Sequence, residues 1–179
     1  MTHQKTIKKA FERCELALKM LPFLGQKSEK VTVRSGKGLA CEVECESCTY
    51  QIDMPSQVGG SATAPTPGEY EAGALGGCVS IMTRMWAAKL EVPIKSIKVE
   101  VNYEADRRCL FNIGDVPPNW KSLGYNINVE SSAPEEDVMR VLDLAHRQSH
   151  VRGDFEHAFD VKRTVTINTP QESITNSTN

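Results

Sequence analysis

No hydrophobic run in the chain approaches the roughly 20 residues that a membrane-spanning helix needs. The opening twenty residues, MTHQKTIKKAFERCELALKM, carry too much charge for a secretory leader. Both absences point to a cytoplasmic protein and away from a membrane partner. Neither sign of charge prevails, with 21 Lys and Arg against 23 Asp and Glu and a net charge of −2. The basic residues are dispersed rather than gathered into a stripe, which excludes nucleic acid as a partner. Histidine is sparse, with four residues at 3, 146, 150 and 157. His146 and His150 would share one face of a continuous helix, but no H-E-x-x-H glutamate accompanies them, so solvated or capping roles are expected. No second C-x-x-C or histidine pair joins Cys41, Cys45 and Cys48, and a zinc site of four ligands is not assembled. Neither a metal nor a cofactor is expected. Internal repeats and low-complexity tracts are also missing.

What remains is 179 residues, enough for one domain with a full core, or one domain with an appended element. The six cysteines, without a leader, read as free thiols in a reducing compartment. Ile7, Phe11, Cys14, Leu18 and Leu21 recur at helical spacing among lysines and glutamates, predicting an amphipathic helix over roughly residues 4–22. Cys41, Val43 and Cys45 then alternate with Glu42, Glu44 and Glu46. After Ser47 the parity changes to Cys48, Tyr50, Ile52 and Met54, the pattern of a tight hairpin that brings Cys45 and Cys48 together. A loop rich in Gly, Pro, Ser and Thr leads to Thr66, Pro67 and Glu69, which form a capping box opening a helix to about Leu90. Two strands follow, with Ile97, Val99, Val101 and Tyr103, then Tyr125, Ile127 and Val129, each on one face. Ser132, Pro134 and Glu135 repeat the helix-start pattern before Val138, Val141, Leu142 and Ala145. VKRTVTI reads as a last strand, and the polar tail from about Thr169 as disordered. The order α, ββ, α, ββ, α, β defines an α+β domain.

Two groups of residues carry candidate chemistry. Cys41, Cys45 and Cys48 are either buried residues continuing a strand's apolar parity or a reversible disulfide or metal hairpin. Cys78 lies three residues after Leu75 on a stripe with Ile81, Met82 and Met85, and periodicity alone makes it a core residue. Yet Gly73, Gly76 and Gly77 weaken this helix by on the order of 1 kcal/mol each relative to alanine, and close approach by another helix or a ligand is the usual reason. A thiol in such a notch is inert in apolar surroundings and nucleophilic beside a cation that stabilises the thiolate.

The stretch GGSATAPTPGEYEAGALGGCVSIMTRMWA, followed by KVEVNY and INVESSAPEEDVMRVLDLAHRQSHVRGDF, resembles the OsmC/Ohr family, the osmotically induced protein C and organic hydroperoxide resistance proteins. The likeness runs over roughly residues 30–168 and leaves the N-terminal helix outside. It implies an OsmC-like fold in which antiparallel sheets from two chains surround two central helices, in an intertwined homodimer with active sites at the subunit interface. The best-known members are thiol peroxidases: one cysteine attacks an organic hydroperoxide and becomes a sulfenic acid, and a second cysteine resolves it as a disulfide. Cys78 matches the attacking position. Where the peroxidases have the resolving cysteine and a proline, this chain has Ser149 and His150. Where they carry a glutamate one position before Glu69 it has Gly68, and Arg34 is the nearest counterpart of the arginine that steadies the thiolate. The resemblance therefore implies a divergent branch, with Cys78, Glu69 and Arg34 as candidate site residues. An external thiol, or Cys109, would complete the cycle on a hydroperoxide or another electrophile. The alternative is a non-catalytic dimer that binds an apolar small molecule. The implied organisation is a helical extension over residues 1–25, an OsmC-like domain over 26–168 and a disordered tail over 169–179.

Overall fold

The computed structural model describes residues 3–157 and 160–167, so the expected disordered tail lies outside the described residues. Helix α1 (His3–Met20) docks on one end of the long helix α2 (Pro67–Lys89). Phe11 meets Trp86 edge to face at 5.1 Å, and the Gln4 side-chain amide donates to the carbonyls of Ala87 and Val92 at 3.4 and 3.0 Å. Lys89 reaches Glu15 at 2.6 Å. The appended helix thus covers the C-terminal end of α2 and not its middle.

Three short strands, β1 (Thr32–Ser35), β2 (Cys41–Glu44) and β3 (Thr49–Ile52), form an antiparallel sheet in that order. The β2–β3 hairpin follows the sequence parity, with Val43 opposite Tyr50 and Cys41 opposite Ile52. β1 is an addition to the expected pair, and its exposed Val33 contributes strand pairing rather than core.

The loop between β3 and α2 is organised by Asp53, which is 1% exposed. Its carboxylate accepts from the Met54, Ser61 and Thr63 amides at 2.7, 3.1 and 3.1 Å and from the Thr63 hydroxyl at 2.9 Å. These donors, the Thr63 and Met54 amides foremost, hold the Asp53 carboxyl below the usual carboxylate range against the opposing effect of burial. Gly60 is obligatory in this loop, because a Cβ there would stand 1.8 Å from the Met54 carbonyl oxygen. The loop delivers Thr66 to the start of α2. There Thr66 Oγ1 accepts from the Glu69 amide at 3.3 Å and the Glu69 carboxylate accepts from the Thr66 amide at 2.7 Å, the capping box that the sequence predicts.

Strands β4 (Ile94–Glu104) and β5 (Ser122–Ser131) pair antiparallel, with Val99 opposite Ile127 and Val101 opposite Tyr125. α2 crosses β4 so closely that a Cβ at Gly76 would lie 3.1 Å from Val101 Cγ2. Gly76 is therefore accounted for within the chain, while Gly73 and Gly77 face open space. Helix α3 (Glu135–Gln148) packs beside α2, and Ala87, Val92 and Val141 form a buried cluster bordered by Trp86, Leu90 and Val138.

Three features depart from the sequence reading. Ser132 does not cap α3; the helix starts after Pro134 without a side-chain cap, and Ser131 Oγ takes the Ala133 amide at 3.0 Å instead. A further helix, α4 (His150–Glu156), follows α3 after the single residue Ser149. VKRTVTI forms no strand: alternation specifies a strand only where a sheet edge is at hand. Within the described chain these residues lie unpaired, with Val161, Val165 and Ile167 exposed.

Candidate active site

Cys78 sits near the middle of α2, half-buried, on the side where α4 begins. Ser149 terminates α3 and caps α4, and it is 2% exposed. Its hydroxyl donates to Cys78 Sγ at 3.2 Å while its oxygen accepts from the Arg152 amide at 3.4 Å. His150, the first residue of α4, places Nδ1 3.7 Å from the same sulfur. The thiol thus has a fixed hydroxyl donor and an imidazole within reach, two groups able to steady a thiolate or to move its proton.

The break at Ser149 separates the two histidines that a continuous helix would have set on one face. His150 turns to Cys78, while His146 Nδ1 pairs with the Tyr125 hydroxyl at 2.5 Å. Burial raises the Tyr125 hydroxyl above its ordinary range, with Arg152 opposing the shift. His150 was missed by the sequence reading because helical spacing paired it with His146. The available signal was the interruption of an otherwise amphipathic α3 after Gln148.

The other residues singled out from sequence lie elsewhere. Glu69 is the α2 capping-box carboxylate, nine residues before Cys78 and about 13 Å away along the helix axis. Its carboxyl lies below the usual range, chiefly through the Thr66 amide, with Arg107 contributing. Arg34 extends from the exposed side of β1 to Glu44 at 2.5 Å. The structure brings neither of them to the sulfur. Gly68 lies under an aromatic stack: a Cβ there would be 3.5 Å from the Tyr103 hydroxyl, and Trp120 stacks between Tyr103 and Phe155 at 4.3 and 5.5 Å. A Cβ at position 68 would stand in ordinary van der Waals contact with the Tyr103 and Trp120 rings.

Tyr103 and Trp120 of that stack form one wall of an apolar cavity of about 670 Å³, lined also by Met54, Pro67, Arg107, Cys109 and Phe111. Cys109 belongs to a short 3-10 helix, Arg107–Phe111, and lines this cavity, whereas Cys78 is not among the lining residues. Asp106 anchors this segment by accepting from Arg108 and Lys121 at 2.6 and 3.1 Å, and these cations hold its carboxyl far below the usual range. Among the described residues no three His, Cys, Asp or Glu converge into a group able to hold a metal ion.

No curated protein sequence matches the chain. Solved structures do share its fold. An OsmC like protein from Mycoplasma pneumoniae is 12% identical with a TM-score of 0.62, over 73% of this chain and 89% of that one. An organic hydroperoxide resistance protein OsmC from Legionella pneumophila is 14% identical with a TM-score of 0.50, over 71% and 88%. An organic hydroperoxide resistance protein from Elizabethkingia anophelis is 10% identical with a TM-score of 0.51, over 72% and 87%. The OsmC-like protein family model matches residues 59–164, more than half of the sequence, and the chain belongs to that family.

Proposed function

We propose that the protein is a single-cysteine thiol peroxidase of the OsmC-like family, acting on organic hydroperoxides or related electrophiles. The observation that carries this reading is the Ser149 hydroxyl donating to Cys78 Sγ at 3.2 Å with His150 Nδ1 at 3.7 Å. In the first step the Cys78 thiolate attacks the distal oxygen of ROOH. The O–O bond breaks, ROH leaves with a proton, and Cys78 becomes a sulfenic acid. An external thiol then condenses with it, releasing water and leaving a mixed disulfide. A second thiol frees Cys78 and departs as the small disulfide. Serine at position 149 cannot form the internal disulfide, so two external thiols are consumed per hydroperoxide. The names carried by the Legionella and Elizabethkingia proteins support organic hydroperoxides as the substrate class.

The test is thiol-dependent consumption of cumene hydroperoxide. Wild type is active and Cys78→Ser falls to background; an inactive wild type or an unaffected variant rejects the proposal. Ser149→Cys adds a second arm. Its sulfur would stand beside Cys78, and hydroperoxide should then produce an intramolecular disulfide between Cys78 and the introduced thiol, with a cycle sustained by a dithiol.

The same reading includes a homodimer. Its support is the face of α2 around Gly73, Gly77 and the exposed Ile81, which the chain itself leaves open, together with the unpaired residues 161–167. A second reading, binding of an apolar small molecule without catalysis, is favoured by the cavity beneath Trp120. The rate of Cys78 alkylation against pH separates the two. A depressed thiol pKa supports catalysis, and an ordinary one near 8.5 supports binding.

A further inference from the structure

The hairpin β2–β3 carries three thiols that the Cys78 site does not use, Cys41, Cys45 and Cys48, and two of them oppose each other. β2 and β3 pair Glu44 with Thr49, and the next opposing positions are Cys45 and Cys48, closed by the Cys45 amide donating to the Cys48 carbonyl at 2.9 Å. Only Glu46 and Ser47 lie between them. Opposing residues project from the same face of a sheet, so both cysteines share the face of Val43 and Tyr50. Directly opposing residues of an antiparallel pair stand with Cα atoms about 4.5–5.5 Å apart, within the roughly 4.4–6.8 Å that a disulfide bridges.

From this register we infer that Cys45 and Cys48 form a second thiol–disulfide exchange site, whose substrate class is the low-molecular-weight disulfide. Cys48 is exposed and meets the substrate, and Cys45 opposite it is half-buried. Burial pushes the Cys45 thiol up, the adjacent Cys48 adds to this, and contact with the Tyr50 hydroxyl acts the other way. The asymmetry gives the two thiols an order of action. Cys41 shares the face, but its thiol is turned to the Leu39 carbonyl at 3.6 Å. With two sulfurs and no third ligand among the described residues, the hairpin is suited to dithiol chemistry rather than to tetrahedral zinc.

The exchange balances without a further reagent. The Cys48 thiolate attacks one sulfur of RS–SR, the S–S bond breaks and RS⁻ leaves, taking up the proton that Cys48 released. Cys45 then loses its proton to water and attacks Cys48 Sγ in the mixed disulfide, expelling the second RS⁻, which is protonated in turn. Two protein thiols are oxidised by two electrons and one small disulfide is reduced to two thiols. Closing so short a loop removes little entropy from the unfolded chain, so the bond has little chain-entropy stabilisation and is readily reduced again.

The test uses the full, reduced chain in glutathione buffers of graded disulfide content, quenched by acid and alkylation and cut with glutamyl endopeptidase. Cleavage after Glu44 and Glu46 separates Cys45 from Cys48, so they stay joined only through a disulfide. The expected product is the dipeptide 45–46 linked to peptide 47–69, two hydrogens lighter than the reduced pair and lost on adding excess thiol. Cys45→Ser should leave glutathione on Cys48 in an adduct at least about tenfold longer-lived than in wild type. Both cysteines remaining alkylatable across the series, or a wild-type Cys48 adduct as persistent as that of the variant, would overturn the assignment.

Discussion

Ser149 is buried with its hydroxyl on Cys78 Sγ, so alanine at this position removes a donor and puts nothing in its place. A hydrogen bond to a charged acceptor is worth about 1.5–3 kcal/mol, and Ser149→Ala is expected to slow iodoacetamide alkylation of Cys78 at pH 7 by on the order of tenfold. An unchanged rate would reduce the contact to packing. His150→Ala should slow it as well, and the two losses should not add, because both groups act on one sulfur. Cys78 and Ser149 were legible in the sequence through the motif around each. His150 was not, because its position depends on where one helix ends, and helix ends are decided by caps that a periodicity argument reads only to within a residue or two.

At the scale of elements, the loop that starts α2 hangs on one carboxylate. Asp53 is held below the ordinary aspartate range, so its contribution to stability is present above about pH 4, the unfolded value. It is lost as the pH falls through the lower folded value. Asp53→Asn keeps one acceptor oxygen and loses the other, and should lower the melting temperature at pH 7 by several degrees. The gap between wild type and variant should narrow as both are taken toward pH 3; thermal melts across pH 3–7 measure this. A gap independent of pH would mean that Asp53 acts by shape alone. The capping box of α2, the hairpin and the β4–β5 faces could all be read in advance, because each depends on neighbours close in sequence. The anchoring by Asp53 could not, since its partners Ser61 and Thr63 are reached only after the loop has folded back. The final strand failed for the same kind of reason, its alternation being local and its partner not.

At the scale of the whole molecule, the glycines of α2 divide into two sets. Gly76 accommodates β4 from inside the chain, whereas Gly77 meets nothing within 4 Å. In an isolated chain Gly77→Ala would stabilise α2 by about 1 kcal/mol through helix propensity alone. If a second copy packs on that face, the added methyl crowds it and the dimer dissociates at higher concentration, by roughly tenfold for each 1.4 kcal/mol of strain. Sedimentation velocity across a dilution series, run beside thermal melts, distinguishes the outcomes: a weaker dimer supports the shared interface, and an unchanged association state with a higher melting temperature refutes it. The fold class and the order of most elements followed from the sequence. A homodimer was implied only by the family resemblance and not by the residue pattern, because an open face is visible only once the chain's own packing has claimed the residues it needs.

The serine between α3 and α4 has one proton to give and directs it to the sulfur, leaving its oxygen for the amide that begins the next helix. An oxygen added to Cys78 Sγ by hydroperoxide would meet that hydroxyl, so oxidation is expected to reach the first turn of α4 through Ser149 and to change the hydrogen-exchange rate of the Arg152 amide, measured with and without hydroperoxide.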